Sequence, residues 1–291
     1  MLQLELLEAL DCIQWLGSGD EVSRRYPISQ PTLSRSCAKA LDRMGLAMVK
    51  RDGEWDISGD TQLLLMEREV HQVARRLGRR PLRLEATYWS AATYCSPLPE
   101  RWILGRSNIV GIPRNFQLVS ERVVDACLTG LPDAPTEQHP DLTAIPLMRM
   151  PVFFCCAPQH PLLDRAALTI ADIAEFPSLG LPEGAYPQVE QTLKMLGLWN
   201  NPVRMRRYRR DRWEGKTEEQ LVVGYGTPLS MRVSGGSICR LPLALPFDSG
   251  DALVVRKDVV DDPCIQELVQ LLQANLRRCL ADGLAEVEIL D

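Results

Sequence analysis

Leu6, Ala9, Leu10, Ile13 and Leu16 recur at helical spacing and predict a first helix of about 14 residues. Gly17-Ser18-Gly19 ends it. A short helix follows, with Val22 and Tyr26 on one face, and Pro27 stops it. On a wheel at about 100° per residue, the next segment turns Leu33, Cys37, Ala40, Leu41 and Met44 inward. Pro31, Thr32, Arg35, Lys39 and Arg43 fall on its opposite face. The stretch LAMVKRDGEWDIS alternates around Asp52-Gly53, which predicts a hairpin. Residues 1–60 therefore read as three helices and a hairpin.

The segment that follows has a different period. Leu63, Met66, Val70, Val73 and Leu77 are spaced three, four, three and four, an a/d seam able to pair with a second copy of itself. This sets residues 61–80 apart as a linker helix closed by Gly78 and Pro81. The alternative is an amphipathic helix packed on its own domain. From Leu82 onward, β and α patterns alternate, which implies an open α/β architecture, with two sheets expected. Strands are predicted at LRLEATY, NIVGIP, VFFCCA, PSLGLP, VRMRRYRR, LVVGYG, ICRLPL and DALVVR. A helix is predicted at VSERVVDACLTG, and a last one from Asp262-Pro263 to a stop before Gly283.

Composition changes this picture little. The 291 residues suit about two domains, and a 45% hydrophobic, 24% charged chain is ordinary for a soluble globular protein. Nine scattered cysteines without a Cys-x-x-Cys pair fit a reduced cytoplasmic setting, with the thiols acting as small core groups. The acidic N-terminus lacks the basic region of a secretory signal, and no apolar run reaches the roughly 18 residues a membrane span needs. No P-loop, dinucleotide fingerprint, Gly-x-Ser-x-Gly or His-Glu-x-x-His is present, and the three histidines have no evident catalytic partner. No enzyme activity, metal or cofactor is therefore expected.

Charge changes it more. The chain carries a net −5, yet seven basic residues stand against three acidic ones between Asp20 and Arg51. The basic set includes Arg35, Lys39, Lys50 and Arg51. A helix that opens with Ser29 as cap and Pro31 in its first turn presents free N–H groups, a positive dipole end and the side chains of Gln30, Thr32, Ser34 and Arg35. Such groups bind phosphates and base edges, so double-stranded DNA is the implied partner. An ordinary solvated helix face would also be compatible with these residues.

The motif Ser29-Gln30-Pro31-Thr32-Leu33-Ser34-Arg35 resembles the start of the recognition helix in LysR-type transcriptional regulators. CCAPQHPL, LTIADIAEFP, LTGLPDAP and VVGYGTPLS resemble later segments of that family, in the same order. Glu54 and Trp55 depart from it, standing where a second basic wing residue is common, and the effector domain's first helix, near PLPERWILGRSN, is shorter than usual.

The resemblance implies an N-terminal all-α winged helix-turn-helix domain over 1–60, with Ser29, Gln30, Pro31, Thr32, Ser34, Arg35, Lys39, Lys50 and Arg51 at DNA. It implies a periplasmic-binding-protein-like α/β effector domain over 81–291. Subdomain I would be about 82–150 plus 264–291, and subdomain II about 151–263. A small-molecule effector, an anion among the options, would lie between them. The effector candidates are Thr87, Trp89, Ser90, Ser120 at a helix start, Gly184, Tyr186, Arg209, Arg210, Gly226 and Thr227. Dimerisation through Leu63, Met66, Val70, Val73 and Leu77 is expected, with a dimer of dimers by family habit.

Six arginines between Arg204 and Arg212 stay open between a charged, exposed edge strand, an anionic site and a subunit contact. A second functional reading is a stand-alone ligand-binding or enzymatic α/β protein whose N-terminal helices serve only protein contacts.

Overall fold

Glycines and caps set the helix limits. In the computed structural model, which describes residues 3–199, 204–209, 212–219, 221–281, 283 and 286–290, the first helix α1 (Leu4–Leu16) ends where Gly17 enters the left-handed region at φ 79°. Helix α2 (Gly19–Arg25) is capped by Ser18. Helix α3 (Gln30–Met44) is capped by Ser29, whose side chain accepts from the Thr32 N–H, and it ends at left-handed Gly45. Leu33, Cys37 and Ala40 are buried and Leu41 and Met44 half-buried, as the wheel predicts. Asp52 and Gly53 both take positive φ and join β1 (Ala47–Arg51) to β2 (Glu54–Ser58) in the expected hairpin.

Helix α4 (Gln62–Arg76) leads into β3 (Leu82–Glu85), α5 (Tyr88–Thr93), β4 (Trp102–Leu104), α6 (Ile112–Ser120), β5 (Ala126–Gly130) and the long β6 (Leu142–Cys156). Helices α7 (Ile170–Ala174), α8 (Pro187–Met195) and α9 (Glu214–Glu219) follow. After them come β7 (Gly224–Gly226), α10 (Pro228–Ser234), the long β8 (Cys239–Arg256), α11 (Pro263–Ala281) and β9 (Glu288–Ile289).

The α/β part differs from the expected pair of sheets. One hydrogen-bonded sheet runs β4-β3-β5-β8-β6-β7, with β9 on β6. The reason is that β6 and β8 are each long enough to serve both halves, pairing antiparallel from Leu142↔Arg256 to Cys156↔Cys239. Register shifts between Pro146 and Met148 and between Pro151 and Phe153 bend the ladder where one half passes into the other. VFFCCA is thus the end of β6, and ICRLPL and DALVVR are one strand.

Other expectations are corrected locally. VSERVVDACLTG is a helix end followed by β5, because its Ala126–Leu128 run is buried on both faces of the sheet. NIVGIP, PSLGLP and VRMRRYRR form no strands among the described residues. Only the isolated bridges Ile109↔Arg207 and Ser178↔Val223 occur there. PLPERWILGRSN holds β4, and the first helix after β3 is α5.

The N-terminal helices share a core with the sheet. Cys12, Trp15, Leu16, Tyr26 and Leu33 pack in one cluster with Leu118, Val123, Cys127 and Val254. Buried charges cross the same boundary. The Arg68 guanidinium on α4 donates to Asp11 on α1 at 2.9 Å and to Gln14 at 2.6 Å. Arg83 on β3 reaches Asp11 at 3.5 Å and the Tyr26 hydroxyl at 3.2 Å. Arg75 donates to Asp125 at 2.8 Å, and the same carboxylate accepts the Arg83 backbone N–H at 2.9 Å. All these ionic side chains are at most 2% exposed.

Removing one partner of such a pair leaves the other buried and uncompensated. Asp125→Ala is therefore expected to lower the unfolding free energy by about 3–5 kcal/mol in urea melts, with a smaller loss when Arg75→Met is combined with it.

Candidate DNA-binding face and effector cleft

The polar end of α3 is outward. Ser29, Gln30, Pro31, Thr32, Ser34, Arg35 and Lys39 are all exposed, as are Lys50 and Arg51 on the hairpin. The Ser29 and Thr32 hydroxyls lie 2.9 Å apart, and Arg35 Nε donates to the Pro31 carbonyl at 3.2 Å. The Gln30 amide donates to Asp20. The Lys50 ammonium sits 5.3 Å from the Trp55 ring centroid, so the wing tryptophan supports a cation.

Glu54 and Trp55 do more than this. Trp55 Nε1 donates to the Gly17 carbonyl at 3.0 Å. Glu54, 3% exposed, takes two bonds from Arg207, at 2.5 and 2.7 Å. Arg206 pairs with Asp52 at 2.7 Å. The arginine run is therefore not an exposed edge strand: two of its members hold the hairpin. Arg204, Arg209 and Arg212 are exposed, and Arg210 lies outside the described residues.

On α4 the two faces divide cleanly. Glu67, Arg68, His71, Gln72 and Arg75 are buried against the chain. The a/d residues point away, with Leu63 53%, Met66 62%, Val70 50%, Val73 40% and Leu77 72% exposed. Together they form an apolar stripe on a protein surface.

A cavity of about 140 Å³ lies between the two halves of the sheet. Thr87, Tyr88 and Trp89 line it from the end of β3 and the start of α5. Tyr225, Gly226, Thr227 and Ser230 line it from β7 and α10, and Tyr186 and Val189 from α8. Thr87 caps α5 through the Ser90 N–H, and Thr227 caps α10 in a capping box with Ser230. Tyr186 accepts from the Gly111 N–H at 3.1 Å. Below the cleft, fully buried Asp251 accepts from Ser90 at 2.5 Å, Tyr94 at 2.6 Å and Trp89 at 3.2 Å, which fixes the Trp89 ring. Burial raises the Asp251 carboxyl above its usual range, against these three donors.

The structure thus brings together Thr87, Trp89, Tyr186, Gly226 and Thr227 among the sequence candidates. Ser90 lies beneath the floor, its hydroxyl given to Asp251. Ser120 is at the end of α6, not a helix start, and its carbonyl accepts from Arg256. Gly184 and Arg209 do not line the cavity. Sequence reasoning missed Tyr88, Tyr208, Trp213, Tyr225 and Phe247, which line it. Tyr88 and Tyr208 stack at 3.8 Å between centroids. The signal for Tyr208 was present: it is the one aromatic inside the arginine run.

The sheet and the N-terminal unit meet at Glu85, at the end of β3. Its carboxylate accepts the Trp15 indole N–H at 2.5 Å, and only a glycine fits beside it, since a Cβ on Gly105 would lie 1.9 Å from Glu85 Oε2. Burial pushes the Glu85 carboxyl up to about 7 from 4.5, with Arg207 and the Trp15 bond opposing the rise. A raised carboxyl pKa means the folded state keeps a proton the unfolded chain has lost. Its contribution is whole below about pH 4.5, falls through the interval up to 7, and is flat above. Glu85→Gln should therefore remove a loss of about 3 kcal/mol between pH 4.5 and 8, read as the difference between the two proteins' unfolding free energies across that range.

Comparison with known proteins agrees with this geometry. Residues 113–207 match the LysR substrate binding domain. A full-length OxyR variant from Pseudomonas aeruginosa shares the fold with a TM-score of 0.56 at 16% identity, covering 94% of this chain and 98% of that one. A Corynebacterium glutamicum OxyR mutant gives 0.54 at 14% identity over 96% and 93% of the two chains. CbnR, solved with its target DNA, gives 0.54 at 12% identity over 94% and 100%. No curated protein sequence matches the chain. The chain thus holds a LysR substrate binding domain over residues 113–207 and shares the fold of these full-length structures.

Proposed function

We propose that this protein is a sequence-specific DNA-binding transcriptional regulator that responds to a small molecule held in the cleft. The observation that carries this reading is the exposed, hydroxyl- and arginine-bearing head of α3 beside the basic hairpin, on a chain that is acidic overall. CbnR, of similar fold, was solved on its target DNA, which supports the same role for this surface.

The domains are residues 1–60 for DNA, 61–80 for pairing and 81–291 for the effector. Ser29 caps the helix, Gln30 and Pro31 meet the groove edge, and Thr32, Ser34 and Arg35 reach bases or phosphates. Lys39, Lys50 and Arg51 contact the backbone. Two copies joined along Leu63, Met66, Val70, Val73 and Leu77 present two recognition helices to half-sites about one DNA turn apart. The exposed apolar stripe on α4 supports this pairing.

Arg35→Ala is expected to cost about 1–3 kcal/mol of binding to a DNA site selected in vitro with the native protein, read by gel shift, while oligomeric state is kept. Unchanged binding would favour the stand-alone reading, in which the N-terminal helices serve only protein contacts. Leu63→Glu with Val70→Glu should convert the assembly to monomers in analytical ultracentrifugation. An intact dimer would remove α4 as the seam.

A further inference from the structure

The cavity is small, aromatic and, among the described residues, without a cation. We propose that it takes an uncharged ligand with a single aromatic ring, of the phenol class; this rests on reading the cleft as the effector site.

Size comes first. An apolar cavity of about 150 Å³ accommodates benzene. The space here is about 140 Å³, which matches one ring with a small substituent.

Shape and chemistry follow. Trp89, Tyr186, Trp213, Tyr225 and Phe247 contribute ring surfaces to the wall, and Val152 and Leu245 add aliphatic surface. Rings pack against rings edge-on or offset, with a gain beyond area burial. A small number of hydroxyls interrupt this lining. Thr227, Ser230 and Ser249 are three of them, and Ser107 is another, its oxygen buried without a hydrogen-bond partner. This suits a ligand with one hydroxyl-sized polar group.

Charge decides the rest. No lysine, arginine or histidine among the described residues lines the cavity. At the helix starts that face it, Thr87 accepts the Ser90 N–H and Thr227 the Ser230 N–H, which leaves fewer N–H groups for an anion. A carboxylate ligand would be desolvated there without a counter-charge, which is costly. The one lining carboxyl, Asp133, is 5% exposed and accepts the Gln188 N–H at 2.7 Å, capping α8. Burial raises its pKa, so it is a poor partner for an ammonium group.

The test titrates the intact protein with phenol, benzoate and benzylamine, three near-isosteric probes of different charge, and with 2-naphthol. The readouts are tryptophan fluorescence, since Trp89 and Trp213 line the cavity, and melting temperature. Phenol is expected to give a saturable response and a raised melting temperature, with benzoate and benzylamine at least about tenfold weaker. Val189→Trp, which fills the space from α8, should abolish the phenol response while melting stays cooperative.

Benzoate or benzylamine binding as tightly as phenol would overturn the ligand class and leave the effector cleft standing. Tighter binding of 2-naphthol would overturn the size. No saturable, Val189→Trp-sensitive response to any probe would overturn the cleft as a ligand site, whatever the outcome of the DNA-binding experiments.

Discussion

The rest of the structure hangs on a set of buried guanidinium–carboxylate contacts centred on Asp11 and Asp125. Arginine is the residue for this role. Its planar fork holds several acceptors at once and stays charged when desolvated. Arg68 binds Asp11 and Gln14 together, and Arg83 binds Asp11, Tyr26 and the Val123 carbonyl. Such contacts add little net stability over a well-packed apolar core. What they oppose is any other docking, since a slipped α1 or α4 would strand charges away from water. The position of the N-terminal unit on the sheet is fixed in this way, and two consequences follow from it. The polar end of α3 faces outward, and α4, having given one face to Arg68 and Arg75, turns its apolar stripe to the surface.

A second contact ties the cleft to the hairpin. The short backbone pairing of residues 108–110 with 206–208 carries Ile109 and Tyr208 on the cleft wall. Next to Tyr208, Arg207 reaches Glu54 on β2 and the Trp15 carbonyl on α1. One segment thus has a cleft-facing side and a hairpin-facing side, on adjacent residues. Glu54 is the acceptor that makes this attachment.

Much was legible in the sequence. Periodicity placed α1 to α4 and the hairpin, because each is short-range: a cap, a turn glycine and a repeating apolar face define it without help from distant residues. The outward residues of α3 came from the wheel, and the apolar row of α4 from its three-four spacing. The cleft was half legible. Thr87, Trp89, Gly226 and Thr227 sit at strand-to-helix turns that a local pattern marks, whereas Tyr208, Trp213 and Phe247 lie elsewhere along the chain and join them only in the fold.

Sequence alone therefore determined the Ser29–Arg35 helix start, the local positive charge on an acidic chain, and the helical faces. The tertiary structure decided what those faces meet. Residues such as Asp11, Gln14, Arg68 and Arg83 read locally as polar positions that solvent would suit. They are buried because their partners lie dozens of residues away, and no local period encodes a pairing over that distance. The same holds for the arginine run. Its composition suggested a charged edge, but the acceptors that give Arg206 and Arg207 their places are on a hairpin 153–154 residues earlier in the chain. Likewise, the length of β6 and β8 was hidden: β8 reads as two short strands and only the end of β6 reads as one, because register shifts interrupt the pattern where each strand passes from one half to the other.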